Sequence, residues 1–243
     1  MSTPVAGGAS VARLAALLAD PNRATICLAL LDRRAWTAGE LARLTGIAAS
    51  TMSAHLDRLV AGELLVEERQ GRHRYVRLAS HQVAQLLEEL TAYAAPVAPP
   101  RSLRAANASR ALAYARTCYD HLAGRLGVGV LDALVDRGVV ASTGVALTGD
   151  GERWFAELGV DVDELRSARR PVTRSCLDWT ERRPHLAGSA GAALCQRWFD
   201  LGWIERPAAT RAETTRAVRV TVAGQRGFAD SLGLSVAELT PDR

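Results

Sequence analysis

The chain contains no lysine, and its 30 basic residues are all arginines, set against 26 acidic residues for a formal net charge of only +4. So mild a net charge does not by itself indicate that the protein binds nucleic acid. Evidence for such binding has to come from a local cluster of basic residues. No apolar run approaches the roughly 18 residues that a membrane span needs. The opening residues MSTPVAGGAS lack the regions of a signal peptide. We therefore expect a cytoplasmic protein with no membrane partner.

Cysteine is also scarce. The four cysteines, Cys27, Cys118, Cys176 and Cys195, have irregular spacing, which excludes a regular disulfide framework. We expect their thiols to be reduced, as is usual in the cytosol. Several catalytic motifs are missing too: no glycine-rich phosphate loop, G-x-S-x-G step or metalloprotease helix occurs in the C-terminal half. These absences argue against an enzyme.

Residues 36–78 carry the pattern of a helix-turn-helix followed by a hairpin. Thr37 and Glu40 form a capping box that predicts the start of a short helix, and Gly46 supplies the turn after it. A second helix is predicted from about Ala49 to Ala61. Its apolar residues recur at the spacing of one buried stripe, namely Met52, Leu56 and Leu59.

The remaining face of that second helix carries polar side chains able to reach base edges and phosphates in a major groove: Ser50, Thr51, Ser53, His55 and Arg58. Two predicted strands, 64–66 and 75–78, flank a cationic turn. This predicted wing holds candidate phosphate contacts at Arg69, Arg72, His73 and Arg74. The pattern predicts binding to double-stranded DNA.

Residues from about Ser10 to Tyr93 resemble the ArsR/SmtB family of dimeric bacterial repressors. The resemblance rests on the Asp20-Pro21-x-Arg23 step, on the run from Gly46 to Leu56, and on the Arg72/Arg74-Tyr75 wing. It implies a winged helix-turn-helix that binds an operator as a homodimer, with its first and last helices paired across a two-fold axis. The chain departs from the family at Ala48 and Ala54, where a capping hydroxyl and an arginine are usual.

Composition divides the chain near residue 96. We expect a DNA-binding and dimerisation domain at 1–95, a proline-rich linker at 96–108, and a tandem-repeat effector domain at 109–243, split into 109–170 and 171–243. The predicted fold class is mainly α with small β-hairpins (α+β). It combines an N-terminal winged helix-turn-helix with two pseudo-symmetric, winged-helix-like repeats in the C-terminal domain.

The repeat is visible as R-[T/S]-C-x-D, which begins at Arg116 and again at Arg174. His-Leu-Ala-Gly follows each copy, at 121–124 and 185–188, and the later segments match as well. Both copies are interpreted as one helix–helix–hairpin–helix unit, divided near residues 169–173. Neither copy has a serine-rich recognition helix, so we do not expect either to read DNA.

The repeated thiols, carboxylates and imidazoles are candidate ligands for a thiophilic divalent metal such as zinc or cadmium, or for another effector: Cys118, Asp120, His121, Cys176, Asp178 and His185. Their spacing is not diagnostic. Cysteine is also a common small core residue, and Asp and His can cap helices or bond to each other. The ArsR/SmtB resemblance implies a metal box with cysteines around residues 40–44, where there are none. It implies a second site on the last helix with several His and acidic residues, where only His81, Glu88 and Glu89 are available, so sensing should lie in residues 109–243.

These patterns together predict a DNA-binding regulator, a repressor released from its operator by a metal ion or small molecule in the C-terminal domain. A thiol-based redox switch through Cys118 and Cys176 is an alternative trigger. An enzyme with one of these cysteines as nucleophile and a histidine as base is a further alternative.

Overall fold

Helices make up most of the chain described by the computed structural model, which covers residues 7–71, 73–94, 102–142, 146–207 and 216–241. The β-structure consists of small antiparallel sheets, so the predicted fold class is confirmed. The described residues divide into two compact units, one up to Leu87 and the other from Glu88 onward. Among them no single helix could cross a membrane, although α1 (Gly8–Leu18) and Pro21–Asp32, bent by 84°, together have sufficient length and apolarity.

The first unit is a helical core with a three-stranded sheet. After α1 its elements are α2 (Pro21–Ala29), β1 (Trp36–Thr37), α3 (Ala38–Thr45), α4 (Ala49–Ala61), β2 (Leu65–Gln70), β3 (His73–Leu78) and the first part of α5 (His81–Tyr93). The strand order is β1-β3-β2, with Leu65 opposite Leu78 and Gln70 opposite His73. Asp20 caps α2 by accepting hydrogen bonds from the backbone N–H groups of Asn22 and Arg23. This arrangement is a winged helix-turn-helix.

The second unit repeats a hairpin followed by helices. Its elements are α6 (Leu103–Tyr114), β4 (Arg116–Cys118), β5 (His121–Ala123), α7 (Gly124–Asp136), α8 (Gly149–Glu157), α9 (Val162–Ser167), β6 (Arg174–Leu177), β7 (Pro184–Ala187), α10 (Gly188–Asp200), β8 (Ile204–Glu205), β9 (Arg219–Val220) and α11 (Val222–Leu232). Helix α6 starts inside the segment predicted as linker, so residues 103–108 are helical. Residues 96–101 lie outside the described residues.

The two halves of this unit share an order of elements. Hairpin β4–β5, α7, a bridge between Val140 and Leu147, and α8 are followed by hairpin β6–β7, α10, the β8–β9 pair and α11. The same threonine cap opens the later helix of each half. Thr148 caps α8 and donates to the carbonyl of Gly138, and Thr221 caps α11 and donates to that of Gly202.

The predicted helix–helix–hairpin–helix unit was wrong in its first part, because each Cys-x-Asp step belongs to a β-hairpin. Cys118 pairs with His121 and Cys176 pairs with His185. Tyr119 adopts a left-handed backbone conformation (φ 58°), which closes the first hairpin in a tight turn that helical periodicity does not reveal. The hairpins bring each cysteine opposite its histidine.

A helix of each half packs against the hairpin of the other half, as expected of a pseudo-two-fold arrangement. Helix α7 of the first half packs against β7 of the second, and α10 packs against β5. The helices approach the opposite hairpins closely at two glycines, since a Cβ on Gly191 would lie 3.3 Å from Cβ of His121 and one on Gly127 would lie 3.7 Å from Cβ of His185. Both hairpins are therefore held at the junction of the two halves.

Aromatic side chains fill the core of the second unit. Trp198 is 1% exposed and meets the ring of Phe228 edge-on, with centroids 5.0 Å apart. Trp203 meets the same ring at 5.3 Å. These tryptophans contribute to packing.

Candidate DNA interface and a buried cysteine and histidine cluster

The helix-turn-helix is fixed by local hydrogen bonds. The Thr37 hydroxyl accepts from the backbone N–H of Glu40, and the Glu40 carboxylate accepts from the backbone N–H of Thr37 at 2.8 Å, which confirms the capping box. The backbone N–H and the hydroxyl of Thr37 both donate to the Glu40 carboxylate, and these two hydrogen bonds lower the pKa of Glu40 despite its partial burial. Gly46 ends α3 in a left-handed conformation (φ 71°), and two further residues separate it from the start of α4 at Ala49.

Helix α4 places the predicted DNA-reading residues unevenly. Ser50, Thr51 and Arg58 are exposed, and Ser53 is half-buried and donates to the carbonyl of Ala49. Its start has no side-chain cap at Ala48. Ser50 and Thr51 therefore form a short, exposed polar surface near the start of the helix.

His55 was predicted on the DNA-facing side of α4, and this was wrong, because its side chain is buried. The physical reason is its spacing. His55 lies three residues after Met52 and four before Leu59, so it falls on the stripe that enters the core.

Two cations of the wing pair with carboxylates of the first unit: Arg69, which lies 3.6 Å from Glu67, and Arg74, which makes closer contacts. Arg74 binds the carboxylate of Asp57 on α4 and that of Glu67 on β2, each at 2.7 Å. It ties the wing to the helix and is less available to phosphate than predicted. Arg69, whose side chain is 75% exposed, and His73 are open to solvent, and Arg72 lies outside the described residues.

In the second unit the two hairpins bring two cysteines and two histidines together. The sulfurs of Cys118 and Cys176 are 3.8 Å apart. The candidate ligand atoms of Cys118, His121, Cys176 and His185 all lie within 4.8 Å of one another, and the four residues are no more than 5% exposed. We call these four residues the Cys–His cluster.

Asp120 lies beside the cluster and contacts His121. Its carboxylate binds Nδ1 of His121 at 3.0 Å and the guanidinium of Arg170 at 2.5 Å. Nε2 of His121 has no hydrogen-bond partner among the described residues. The His121 ring stacks on that of His185, with centroids 5.1 Å and planes 24° apart.

Asp178 acts as an anchor between the halves. It accepts hydrogen bonds from Arg116 at 2.8 Å and from the backbone N–H of Gly124 at 2.6 Å, and its other oxygen accepts from Thr180 and Glu181. It lies 3.9 Å from Nδ1 of His185. Both nitrogens of His185 lack a hydrogen-bond partner within the part of the chain that the structure describes.

The sequence therefore grouped six residues, of which four form the cluster. Asp120 and Asp178 were predicted beside them as ligands, but their oxygens are occupied by arginine, histidine and backbone groups. Carboxylates in a buried site satisfy the nearest fixed cations and N–H groups first, and these come from segments far away in sequence.

The cysteines and histidines of the cluster shift one another's pKa values. The neighbouring Cys118 thiol and the two imidazoles lower the pKa of Cys176 although burial opposes this, and the same sulfur contact together with burial raises the pKa of Cys118. Burial lowers the pKa of His121, but Asp120 and the Cys176 sulfur outweigh it and raise that pKa to about 9. Desolvation lowers the pKa of His185. Of the two thiols, Cys176 is therefore the stronger acid.

A separate groove of about 450 Å³ opens in the second unit beside Tyr114, Arg110 and Arg125. None of the Cys–His cluster residues lines it. It is another concave feature of this unit, separate from the cluster.

Comparison with known proteins agrees with this architecture. A family model described as a helix-turn-helix domain matches residues 18–68. The uncharacterized HTH-type transcriptional regulator YdfF of Bacillus subtilis is 39% identical over 229 residues, which cover 93% of this chain and 99% of YdfF. The chain belongs to the family of HTH-type transcriptional regulators.

Other relatives match the N-terminal part of this HTH-type regulator. The HTH-type transcriptional regulator CmtR of Mycobacterium tuberculosis is 40% identical over 81 residues, or 33% of this chain and 68% of CmtR. A homodimeric winged helix-turn-helix DNA-binding domain from Mycobacterium bovis, described as a possible ArsR-family regulator, covers 38% of the regulator and 89% of its own chain at 30% identity, with a TM-score of 0.33. The relatives are named transcriptional regulators, the class expected in place of an enzyme.

The sequence reasoning missed two arginines that shape the regulator's cluster. Arg116 is fully buried between Asp178 and the ring of Trp179, 4.6 Å from its centroid, and Arg170 holds Asp120. Arg116 could have been found from the sequence, because it is the arginine of the repeated motif R-[T/S]-C-x-D. Arg170 carries no such signal.

Proposed function

We propose that this regulator is a cytoplasmic, homodimeric repressor that holds operator DNA through α4 and the wing and releases it when an effector binds in the second unit. The observation that carries the proposal is the combination, in one chain, of an exposed polar face on α4 and four buried reactive side chains in the Cys–His cluster. The first feature serves DNA binding and the second serves sensing.

The DNA-facing residues have distinct tasks. Ser50 and Thr51, near the start of α4, are short donors suited to base edges in the major groove, and Arg58 is exposed further along the helix. Arg69 and His73 on the wing suit phosphate contacts, as does Arg72 by its sequence. Arg74 holds the wing against α4, so it positions the other contacts.

Dimerisation is supported by apolar surface that the single chain leaves uncovered. Helix α1 buries none of its residues, and Val11 on it is 66% exposed. Leu90 and Tyr93, near the end of α5, are 47% and 87% exposed. A second copy would cover such surface, and two recognition helices read a longer site than one.

Sensing requires that the effector bind one conformation of the dimer better than the other. Contacts within the second unit connect both hairpins to the end of α5. Arg216 binds Glu88 and accepts at its carbonyl from the backbone N–H of Thr117, beside Cys118. Arg174, at the start of β6, binds Glu89 at 3.2 Å. A change in the hairpins would therefore act on α5.

The proposal is tested with the full-length protein by fluorescence anisotropy on duplexes enriched from a random library. We expect one preferred sequence with two half-sites, two chains bound per duplex, and weaker binding once effector is added. Equal affinity for the enriched and the random duplexes would contradict operator recognition. An affinity that rises with effector would contradict release.

A thiol switch is the second candidate, and the 3.8 Å separation of the Cys118 and Cys176 sulfurs favours it. Peroxide would oxidise one thiolate to a sulfenic acid, and the other thiol would displace water from it to form a disulfide. We expect such a switch to lose operator affinity with peroxide and to regain it with dithiothreitol. Unchanged affinity in peroxide would exclude this candidate.

A further inference from the structure

We propose that Cys118, His121, Cys176 and His185 form a closed tetrahedral site for one thiophilic divalent cation, zinc above all, with each half of the second unit supplying one cysteine and one histidine. The inference deepens the proposed function, since it names the effector as a metal ion and its four ligands. It assigns Asp120 as the residue that positions His121.

The spacing of the sulfurs fits a shared ion. Two thiolates that bind one tetrahedral zinc at about 2.3 Å lie about 3.8 Å from each other. The sulfurs of Cys118 and Cys176 lie 3.8 Å apart. The two imidazoles complete the set, because all four ligand atoms fall within 4.8 Å of one another.

The histidines lack what buried imidazoles ordinarily have. His121 Nε2 and both ring nitrogens of His185 have no hydrogen-bond partner among the described residues, although the two side chains are at most 4% exposed. Buried polar atoms are normally paired, so unpaired ones need an explanation. A metal ion would satisfy one nitrogen of each ring at once.

The carboxylate behind His121 has the geometry that supports metal binding. Asp120 accepts from Nδ1 and so leaves Nε2 directed away from it, and Arg170 in turn fixes Asp120. A carboxylate in this position sets the tautomer of a metal-bound histidine and strengthens its donation. Asp178 lies near Nδ1 of His185, but at 3.9 Å it is not hydrogen-bonded to that ring.

The choice of ion follows from the donors. Two sulfur and two imidazole ligands select zinc and similar soft cations over magnesium or calcium, which prefer oxygen. A disulfide between the cysteines would use neither histidine. A metal therefore accounts for more of the cluster than oxidation does.

The decisive measurement is made on wild-type, full-length protein purified without chelators. We expect one zinc per chain by elemental analysis. After removal of zinc, Co²⁺ should restore one ion per chain, with the visible spectrum of tetrahedral cobalt and a sulfur-to-cobalt charge-transfer band. Folded wild-type protein that takes up neither Zn²⁺ nor Co²⁺ would overturn the proposal, as would a Cys118–Cys176 disulfide in metal-free protein isolated under anaerobic conditions.

Variants locate the ligands. The double variant Cys118→Ser/Cys176→Ser should lose zinc and the charge-transfer band. Cys195→Ser is the matched control, a buried cysteine of the same unit outside the cluster, and should keep both. Zinc retained by the double variant, with cobalt charge transfer intact, would overturn the assignment. Since the wild-type titration stands alone, a double variant that fails to fold does not remove the test.

Asp120→Asn tests the positioning role. We expect affinity for Co²⁺ to fall about 10- to 100-fold while the cobalt spectrum stays tetrahedral. The melting temperature of metal-free protein should change little. Unchanged affinity would overturn the role of Asp120.

Operator binding separates this inference from the proposed function. If zinc binds to the cluster and operator affinity does not change, the metal site stands and the effector role falls. If no metal binds and operator recognition is intact, the metal site falls and the DNA-binding function stands.

Discussion

The sulfurs of Cys118 and Cys176 lie 3.8 Å apart, although 58 positions separate the two residues in the chain. They occupy equivalent places on hairpins β4–β5 and β6–β7, opposite His121 and His185 respectively. A pseudo-two-fold arrangement of two hairpins turns one cysteine–histidine pair into a four-residue cluster. The site thus exists only when both halves are packed together.

Arg69 on the wing should contribute to DNA affinity without regard to sequence. We expect Arg69→Ala to weaken binding to operator and random duplexes alike and to reduce the slope of log affinity against log salt by about one, because one phosphate contact is lost. The control is Arg153→Ala, which removes another exposed arginine, in the second unit. It should change neither the affinity nor the salt slope. Salt-dependent anisotropy measures both, and an unchanged slope for Arg69→Ala would refute the contact.

Ser50 and His55 lie on the same helix and should respond differently to alanine. Ser50→Ala removes an exposed hydroxyl, so we expect lower discrimination between operator and random DNA and an unfolding free energy within about 0.5 kcal/mol of wild type. His55→Ala empties a buried position, and we expect a loss of about 1–3 kcal/mol. Urea denaturation and competition binding decide this, and a stable His55→Ala protein with impaired discrimination would reverse the assignment.

The capping box of α3 gives the first unit an acid-sensitive contribution to stability. Hydrogen bonds lower the folded-state pKa of Glu40, so its stabilisation is present above the ordinary glutamate value and is lost as pH falls through the lowered one. We expect Thr37→Ala to cost about 1 kcal/mol at neutral pH and less in acid. Urea melts at both pH values test this, and a cost independent of pH would show that the Glu40 carboxylate is not involved.

Gly191 and Gly129 provide a matched pair of glycine-to-alanine changes on equivalent helices of the two halves, α10 and α7. A Cβ on Gly191 would lie 2.5 Å from the Leu186 carbonyl and 3.3 Å from Cβ of His121, so we expect Gly191→Ala to destabilise by about 1–3 kcal/mol. Gly129 on α7 has nothing within 4 Å, and Gly129→Ala should stabilise by about 0.5–1 kcal/mol. Denaturation of both variants tests the packing, which a neutral Gly191→Ala would contradict.

Glu88 should carry the response to metal without holding the metal. Its carboxylate binds Arg216, which is hydrogen-bonded to Thr117 beside the cluster. We expect Glu88→Gln to keep its zinc content and its affinity for operator without zinc. The zinc-induced loss of affinity, typically 5- to 150-fold for an allosteric ligand, should shrink toward none.

Glu152→Gln is the control for that experiment, because Glu152 pairs with Arg166 on α9 and has no contact with the cluster. It should respond to zinc as wild type does. A wild-type response from Glu88→Gln would mean that the signal leaves the hairpins by another route.

Local patterns predicted the first unit well. The capping box at Thr37, the turn at Gly46 and the bounds of α4 at Ala49 and Ala61 all involve residues within about one helical turn of each other. Such signals depend on residues that are close in sequence, so they can be recognised without knowledge of the tertiary structure. The repeat around Cys118 and Cys176 was visible for a similar reason, because it compares the chain with itself.

Packing alone decided the rest. His55 shares the polar character of its neighbours on α4, which concealed that its spacing from Met52 and Leu59 puts it on the stripe that packing buries. Arg74 was predicted to face DNA, but Asp57 and Glu67 engage it within the folded unit. A cationic side chain binds whichever anion the fold places nearest, and this choice has no local signature.

The six residues of the repeated motif show the same division. Their types and spacing were set by the sequence, which determined that two thiols, two imidazoles and two carboxylates would recur in the same order. Only the tertiary structure joined Cys118, His121, Cys176 and His185 and directed Asp120 and Asp178 to Arg170 and Arg116. The reason is physical: these contacts join segments about 50 to 60 residues apart, and their distances depend on how α7 and α10 pack against the opposite hairpins.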